Sequence, residues 1–194
     1  MKLLAGTQKG RRLRNPPTST LRPTSGKVRE ALFAILSDRI QNATVLDLYA
    51  GTGALGLEAL SRGARQVVFV EQAPASLRVL RDNIRHCASQ EKSRVVGQDV
   101  KRFLQMPHFL EGEDRFDLIF MDPPYQTRDV DSVLELLGRS TFFFPHSLLV
   151  MEHFSKRHVA EHAGDLKRFR QARYGDTTLS FYSLGSALQG SSCV

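Results

Sequence analysis

Apolar residues recur along the chain with two different periods, and the changes of period divide it into alternating elements. Val28, Leu32, Ile35 and Leu36 fall at helical spacing, with Lys27, Arg29 and Glu30 directed elsewhere. Thr24 or Ser25 is a suitable N-cap, so a helix is predicted from there to the neighbourhood of Ile40. From Ala43 onward, short apolar runs alternate with amphipathic stretches. ATVLDLY, QVVFVE, SRVVGQD, FDLIFMD and HSLLVMEHF read as strands. ALGLEALSR, ASLRVLRDNIRHC, VKRFLQM and VDSVLELLG read as the intervening helices. Strands apolar on both faces, each followed by a helix, imply a parallel sheet covered on both sides. LKRFRQARY and TTLSFYSL flank Gly175-Asp176, a hairpin signal that adds an antiparallel strand at the sheet edge. The expected fold class is α/β: a Rossmann-like, mostly parallel, seven-stranded sheet with an antiparallel edge strand and helices on both faces.

The ends of the chain follow a different pattern. KLLAGT and KGRRLRN suit a small β-hairpin around Gln8-Lys9-Gly10, and Pro16, Pro17 and Pro23 forbid a regular helix after it. Residues 1–23 are therefore expected to form an arm and linker separate from the body. Residues 24–184 would form one domain, and the small polar stretch 185–194 a frayed tail.

Composition narrows the class. A chain of 194 residues, 41% hydrophobic and 24% charged, has the profile of one soluble domain. No apolar run approaches the ~18 residues of a membrane span, and MKLLAGTQKGRR has no sustained apolar core of a signal peptide. Cys87 and Cys193 stand far apart and outside any metal-ligand spacing. A cytoplasmic monomer without a metal or membrane association is the simple expectation. The net charge of +7 becomes informative once it is located. Residues 1–29 hold eight basic side chains and no acid, whereas the remainder holds nineteen basic and twenty acidic ones. A basic arm on a near-neutral body suits a polyphosphate partner, and Lys9, Arg11, Arg12, Arg14, Arg22 and Arg29 are its candidate contacts. A merely solvated arm is the competing reading.

Gly51, Gly53 and Gly56 spell G-x-G-x-x-G between a strand and a helix. That spacing permits a tight turn, close approach of backbone to ligand, and close helix–strand packing. Glu71 ends the next strand, at the distance where an acid reaches a ribose diol. The motif by itself fits a nicotinamide dinucleotide equally well. Asp47 tilts the choice. A carboxylate beside the glycine loop repels a pyrophosphate but suits the cationic amino group of S-adenosylmethionine. Asp99, at the end of the third strand, can accept from an adenine amine. Tyr49 and Val100 adjoin these positions as further candidate cofactor contacts.

Asp122-Pro123-Pro124-Tyr125 follows the fourth strand, at the edge of the sheet where such folds bind ligands. The tetrapeptide suits chemistry on an exocyclic base amine, whose lone pair is conjugated with its ring. Acceptors around the N–H groups, here the Asp122 carboxylate and the Pro123 carbonyl, favour a pyramidal nitrogen. The two prolines stiffen the direction of that carbonyl, and Tyr125 offers a face for stacking the base. Cytosine C5 chemistry needs a cysteine nucleophile, and neither cysteine is suitably placed.

Taken together, AGTQKGRRL, RPTSGKVREALFAIL, VLDLYAGTGALGLEALSRGA, FDLIFMDPPY and YGDTTLSFY resemble the bacterial RsmD-like family of 16S ribosomal RNA guanine-N2 methyltransferases. The resemblance spans roughly residues 1–184. It implies cofactor contacts from Asp47, Gly51, Gly53, Glu71 and Asp99, and base positioning by Asp122, Pro123, Pro124 and Tyr125. It also implies that Arg22, Thr24 and Arg29 lie near the site or the RNA, and that the partner is 16S rRNA or an assembling 30S subunit. Adenine-N6 or cytosine-N4 methylation, a dinucleotide oxidoreductase and a non-catalytic RNA-binding module are the alternative readings.

Overall fold

The computed structural model describes residues 1–15, 26–106, 115–124, 127 and 129–185. Its centre is one eight-stranded sheet in the order β3-β2-β1-β4-β5-β8-β7-β6. The strands are Thr44–Leu48 (β1), Gln66–Glu71 (β2), Ser93–Gly97 (β3), Phe116–Met121 (β4), Phe143–Phe154 (β5), His162–Ala163 (β6), Leu166–Tyr174 (β7) and Thr177–Leu184 (β8). The helices are Gly26–Leu36 (α1), Ala54–Ser61 (α2), Pro74–His86 (α3), Val100–Leu104 (α4) and Val130–Gly138 (α5).

The first five strands are parallel, as their two-sided apolar character requires. All five residues of β1 are buried. Alternation then sends Val45 into one apolar cluster, with α1, α2 and α3, and sends Leu46 and Leu48 into the other, with α4 and α5. The sheet has eight strands rather than seven, because the two-residue β6 pairs with β7. Antiparallel pairing is confined to one edge of the sheet, as expected. β8 is inserted between β5 and β7 and runs antiparallel to both. A hairpin signal specifies that two strands pair, but not which of them meets the rest of the sheet.

The expected first helix ends early: α1 stops at Leu36, and a single 3-10 turn carries the chain to Ile40. The N-terminal segment differs more. A hairpin does form, with a bridge between Lys2 and Arg12. The Leu3 N–H donates to the Arg11 carbonyl at 3.0 Å, and the Gly10 N–H to the Leu3 carbonyl at 2.9 Å. Yet the hairpin is not separate from the body. Leu3 and Leu13 are buried in the first cluster. Glu58 of α2, itself fully buried, accepts the Leu4 N–H at 2.7 Å and the Ala5 N–H at 3.1 Å. The physical reason is the carboxylate. A buried charge needs donors, and the backbone of the hairpin supplies two of them.

Candidate functional site

Strand order reverses between β1 and β4, because the chain winds from β1 out to β2 and β3 before returning as β4. At such a switch point the loops leaving the two strands diverge and open a crevice at their carboxyl ends. The loop after β1 carries the glycines and the loop after β4 carries Asp122. The two loops touch, since the Asp122 N–H donates to the Leu48 carbonyl at 3.4 Å.

The glycine loop turns through positive φ at Tyr49 (60°), Gly51 (55°) and Gly53 (81°). Tyr49 makes this turn with a side chain, in a region rarely occupied by aromatic residues. Gly53 has a second constraint, since a Cβ there would lie 2.5 Å from Leu80 Cδ1. Gly56 serves packing alone: its Cβ would lie 2.3 Å from the Phe69 ring, so glycine lets α2 rest directly on β2. The Gly51 N–H donates to Glu71 Oε2 at 2.8 Å. The Gln72 and Ala73 N–H groups donate to Glu71 Oε1 at 2.8 and 2.7 Å. Glu71 is therefore held rigidly at the lip of the loop.

Asp47 is only 2% exposed, and its Oδ2 accepts the Gly56 N–H at 2.9 Å. Burial pushes its carboxyl up to about 7, the Gly56 hydrogen bond opposes this, and the charges of Asp122 and Glu71 push it further up. Three carboxyl groups thus stand at the carboxyl ends of the neighbouring strands β1, β2 and β4. The Tyr49 hydroxyl is pushed up to about 12, first by burial and then by Asp99 and Asp129. Asp99 does not end a strand as expected. β3 stops at Gly97, and Asp99 is the N-cap of α4, accepting the Arg102 N–H at 3.1 Å. Val100, beside it, is buried. After β4, Asp122 is half-buried, Pro123 is buried and Pro124 is exposed. The Pro124 carbonyl accepts the Thr127 N–H at 2.8 Å, and Arg157 Nη2 donates to the Thr127 carbonyl at 2.6 Å. Tyr125, Arg22 and Thr24 lie outside the described residues.

A family profile described as conserved hypothetical protein 95 matches residues 1–183. The chain is 31% identical to YlbH of Bacillus subtilis over 182 residues, 94% of this chain and 98% of that one. It is 33% identical to the ribosomal RNA small subunit methyltransferase D of Haemophilus influenzae over 153 residues, 78% of each chain. The solved structure of yhhF from Escherichia coli superposes with a TM-score of 0.82 at 28% identity, covering 95% of this chain and 97% of that one.

The chain belongs to the RsmD-like family. In this RsmD-like chain the basic arm divides into two kinds of residue. Lys9, Arg12 and Arg14 are exposed, while Arg11 is half-buried and donates to the His86 carbonyl. Arg29 departs from its expected place at the RNA. It is 2% exposed, its Nη2 donates to the Lys2 carbonyl at 2.6 Å, and its pKa is lowered by burial, in part offset by Glu58. Its position beside the apolar stripe of α1 is covered because the hairpin, as well as the sheet, packs on that helix.

Three further residues of this RsmD-like chain support the site. Asn83, fully buried on α3, accepts the Arg14 N–H at 2.8 Å and donates to the Thr52 carbonyl at 2.9 Å. It joins the arm to the glycine loop. Glu58 anchors the hairpin, and Arg157 braces the segment after Asp122. Their signal in the sequence is faint: Asn83 interrupts the Leu80–Ile84 apolar stripe, and Glu58 interrupts that of α2. Among the described residues no group of acids, histidines and cysteines has the arrangement of a metal site, and no helix is long and apolar enough to cross a membrane.

Proposed function

We propose that the protein transfers a methyl group from S-adenosylmethionine to the exocyclic N2 of a guanine in 16S rRNA. It acts as a cytoplasmic monomer on the RNA or on an assembling 30S subunit. The observation that carries this reading is the placement of Asp47, Glu71 and Asp122 at the carboxyl ends of the adjacent strands β1, β2 and β4, tied to the glycine loop, to α2 and to one another's strands by hydrogen bonds. Their mutual repulsion favours a cationic ligand, and a pyrophosphate would add to it. The crevice therefore fits S-adenosylmethionine and disfavours a dinucleotide.

Bound there, S-adenosylmethionine supplies a methyl group whose bond electrons return to sulfur as it departs. Asp47 compensates the positive end of the cofactor. Glu71 accepts from the ribose hydroxyls and Asp99 from the adenine amine, while Tyr49, Gly51, Gly53 and Val100 shape the cradle. Asp122 and the Pro123 carbonyl accept from the target amine and orient its lone pair. In this reading Asp122 receives the proton that the alkylated nitrogen sheds. Pro124 fixes the loop and Tyr125 stacks the extruded base. Lys9, Arg11, Arg12, Arg14 and Arg22 hold the phosphate backbone, which positions the RNA without reading it. The name of the Haemophilus influenzae relative supports the choice of small-subunit rRNA, and the choice of guanine rests on the resemblance of the motifs to the RsmD-like family.

Nucleoside mass spectrometry of 16S rRNA incubated with the enzyme and cofactor tests the assignment. N2-methylguanosine is expected. Asp122→Ala is expected to abolish it while calorimetric cofactor binding persists. N6-methyladenosine or N4-methylcytidine as the product would overturn the choice of base.

A further inference from the structure

We propose that β7 is a second RNA-binding surface, on which Phe169 stacks an unpaired base and Lys167 and Arg170 contact adjoining phosphates. The proposal rests on reading the protein as an RNA-modifying enzyme and adds a partner contact away from the reacting centre. Phe169 is 46% exposed, and among the described residues it is the only large hydrophobic side chain on the surface. It is the extra residue at the register shift between Arg168 and Arg170. A bulge of this kind re-aims a side chain that the regular pleat would otherwise direct. The Phe169 ring lies 6.4 Å from that of Phe181, and the Arg170 guanidinium lies 5.6 Å over the same ring. An exposed aromatic face and a cation thus stand side by side on one buried support, the arrangement that receives an unpaired base with its phosphate.

The charge of the strand agrees. Leu166–Tyr174 contains Lys167, Arg168, Arg170 and Arg173 and no acid. Arg168 is engaged by Glu161 at 2.9 Å and by the Val159 carbonyl at 2.8 Å, and Arg173 donates to the Gly175 carbonyl at 3.1 Å. No ion pair engages Lys167 or Arg170 among the described residues. Leu166 turns into the cluster that holds Tyr182, so Lys167 turns to the opposite face. Arg170, registered with Phe181, shares that face. A lone ring between two cations, with no other large apolar residue exposed, lacks the contiguous apolar area of a protein interface.

The location is also suitable. Arg170 is paired with Phe181, Phe181 with Val150, and Val150 with Phe120, two residues before Asp122. Three strand spacings put the platform ~15 Å from the Asp122 loop. The N-terminal hairpin docks on α2 and α3, which cover the β1–β2 side of that loop, and β7 lies on the other side. A single RNA strand is then held on both sides of the base it delivers.

Anisotropy of a fluorescein-labelled single-stranded RNA of mixed sequence, titrated with the full chain, tests the proposal. Phe169→Ala should weaken binding about tenfold with an unchanged salt slope. Lys167→Gln combined with Arg170→Gln should weaken binding and flatten the dependence of log Kd on log salt by about 1.4. Both variants should keep the wild-type Tm and affinity for S-adenosylmethionine. Unchanged RNA affinity in both variants overturns the proposal. So does a changed sedimentation coefficient in Phe169→Ala with RNA affinity intact, which assigns the ring to a second copy of the chain. Neither measurement depends on methyl transfer, so failure of the wild type to modify rRNA would overturn the assigned reaction and leave this contact standing.

Discussion

Asp47 shows what burying a carboxyl group costs. Its folded pKa of about 7 lies well above the unfolded value near 3.8. Between those values the folded chain binds more protons than the unfolded one, so stability falls as pH rises through the window. Ionising Asp47 inside the fold costs on the order of 4 kcal/mol relative to the unfolded chain. Asp47→Asn keeps an oxygen for the Gly56 N–H and removes that cost. Thermal melts should show a higher Tm than wild type at about pH 8 and little difference at about pH 4. The same variant should bind S-adenosylmethionine more weakly by calorimetry, a stabilising change that impairs function. A variant no more stable than wild type at alkaline pH would contradict the buried, uncompensated carboxylate on which the cationic-ligand reading depends.

The elements that matter most are the glycine loop and the hairpin, and Asn83 links them. Its side chain meets the Arg14 N–H, the Arg14 carbonyl and the Thr52 carbonyl at one fully buried point. Asn83→Ala leaves those groups unmatched, at a cost of about 1–3 kcal/mol. Because the arm and the loop share that one side chain, both RNA affinity and cofactor affinity should fall. Hydrogen exchange should speed up at Arg14 and in the glycine loop together. If only one of the two regions loosens, the side chain is a local support rather than a link. Strand and helix identities in this region were legible because apolar periodicity is a local property. The docking of the hairpin was not, because the acid that holds it lies over fifty positions away along the chain.

Over the whole molecule, the basic excess of the N-terminal segment is not uniformly available to a partner. Lys9, Arg12 and Arg14 face solvent, whereas Arg29 holds the hairpin to α1. Replacing Lys9, Arg12 and Arg14 together with Gln should reduce the salt slope of RNA binding by about 2, at ~0.7 per phosphate contact on a single strand. Cofactor binding and Tm should stay near wild type. Arg29→Ala should instead lower Tm and expose the hairpin to protease. A salt slope untouched by the triple variant would remove the arm from the interface.

The sequence by itself determined the alternating elements, the parallel core, the glycine turn and the Asp-Pro-Pro segment. Each depends on residues within a few positions of one another, or on a period that the chain carries along its length. Only the tertiary structure decided that β8 lies between β5 and β7, that Arg29 is buried, and that Asp47, Glu71 and Asp122 stand at the carboxyl ends of neighbouring strands. Those outcomes depend on which surfaces meet across the fold. Burial and charge repulsion are set by distant neighbours, and no local pattern encodes which neighbours those are.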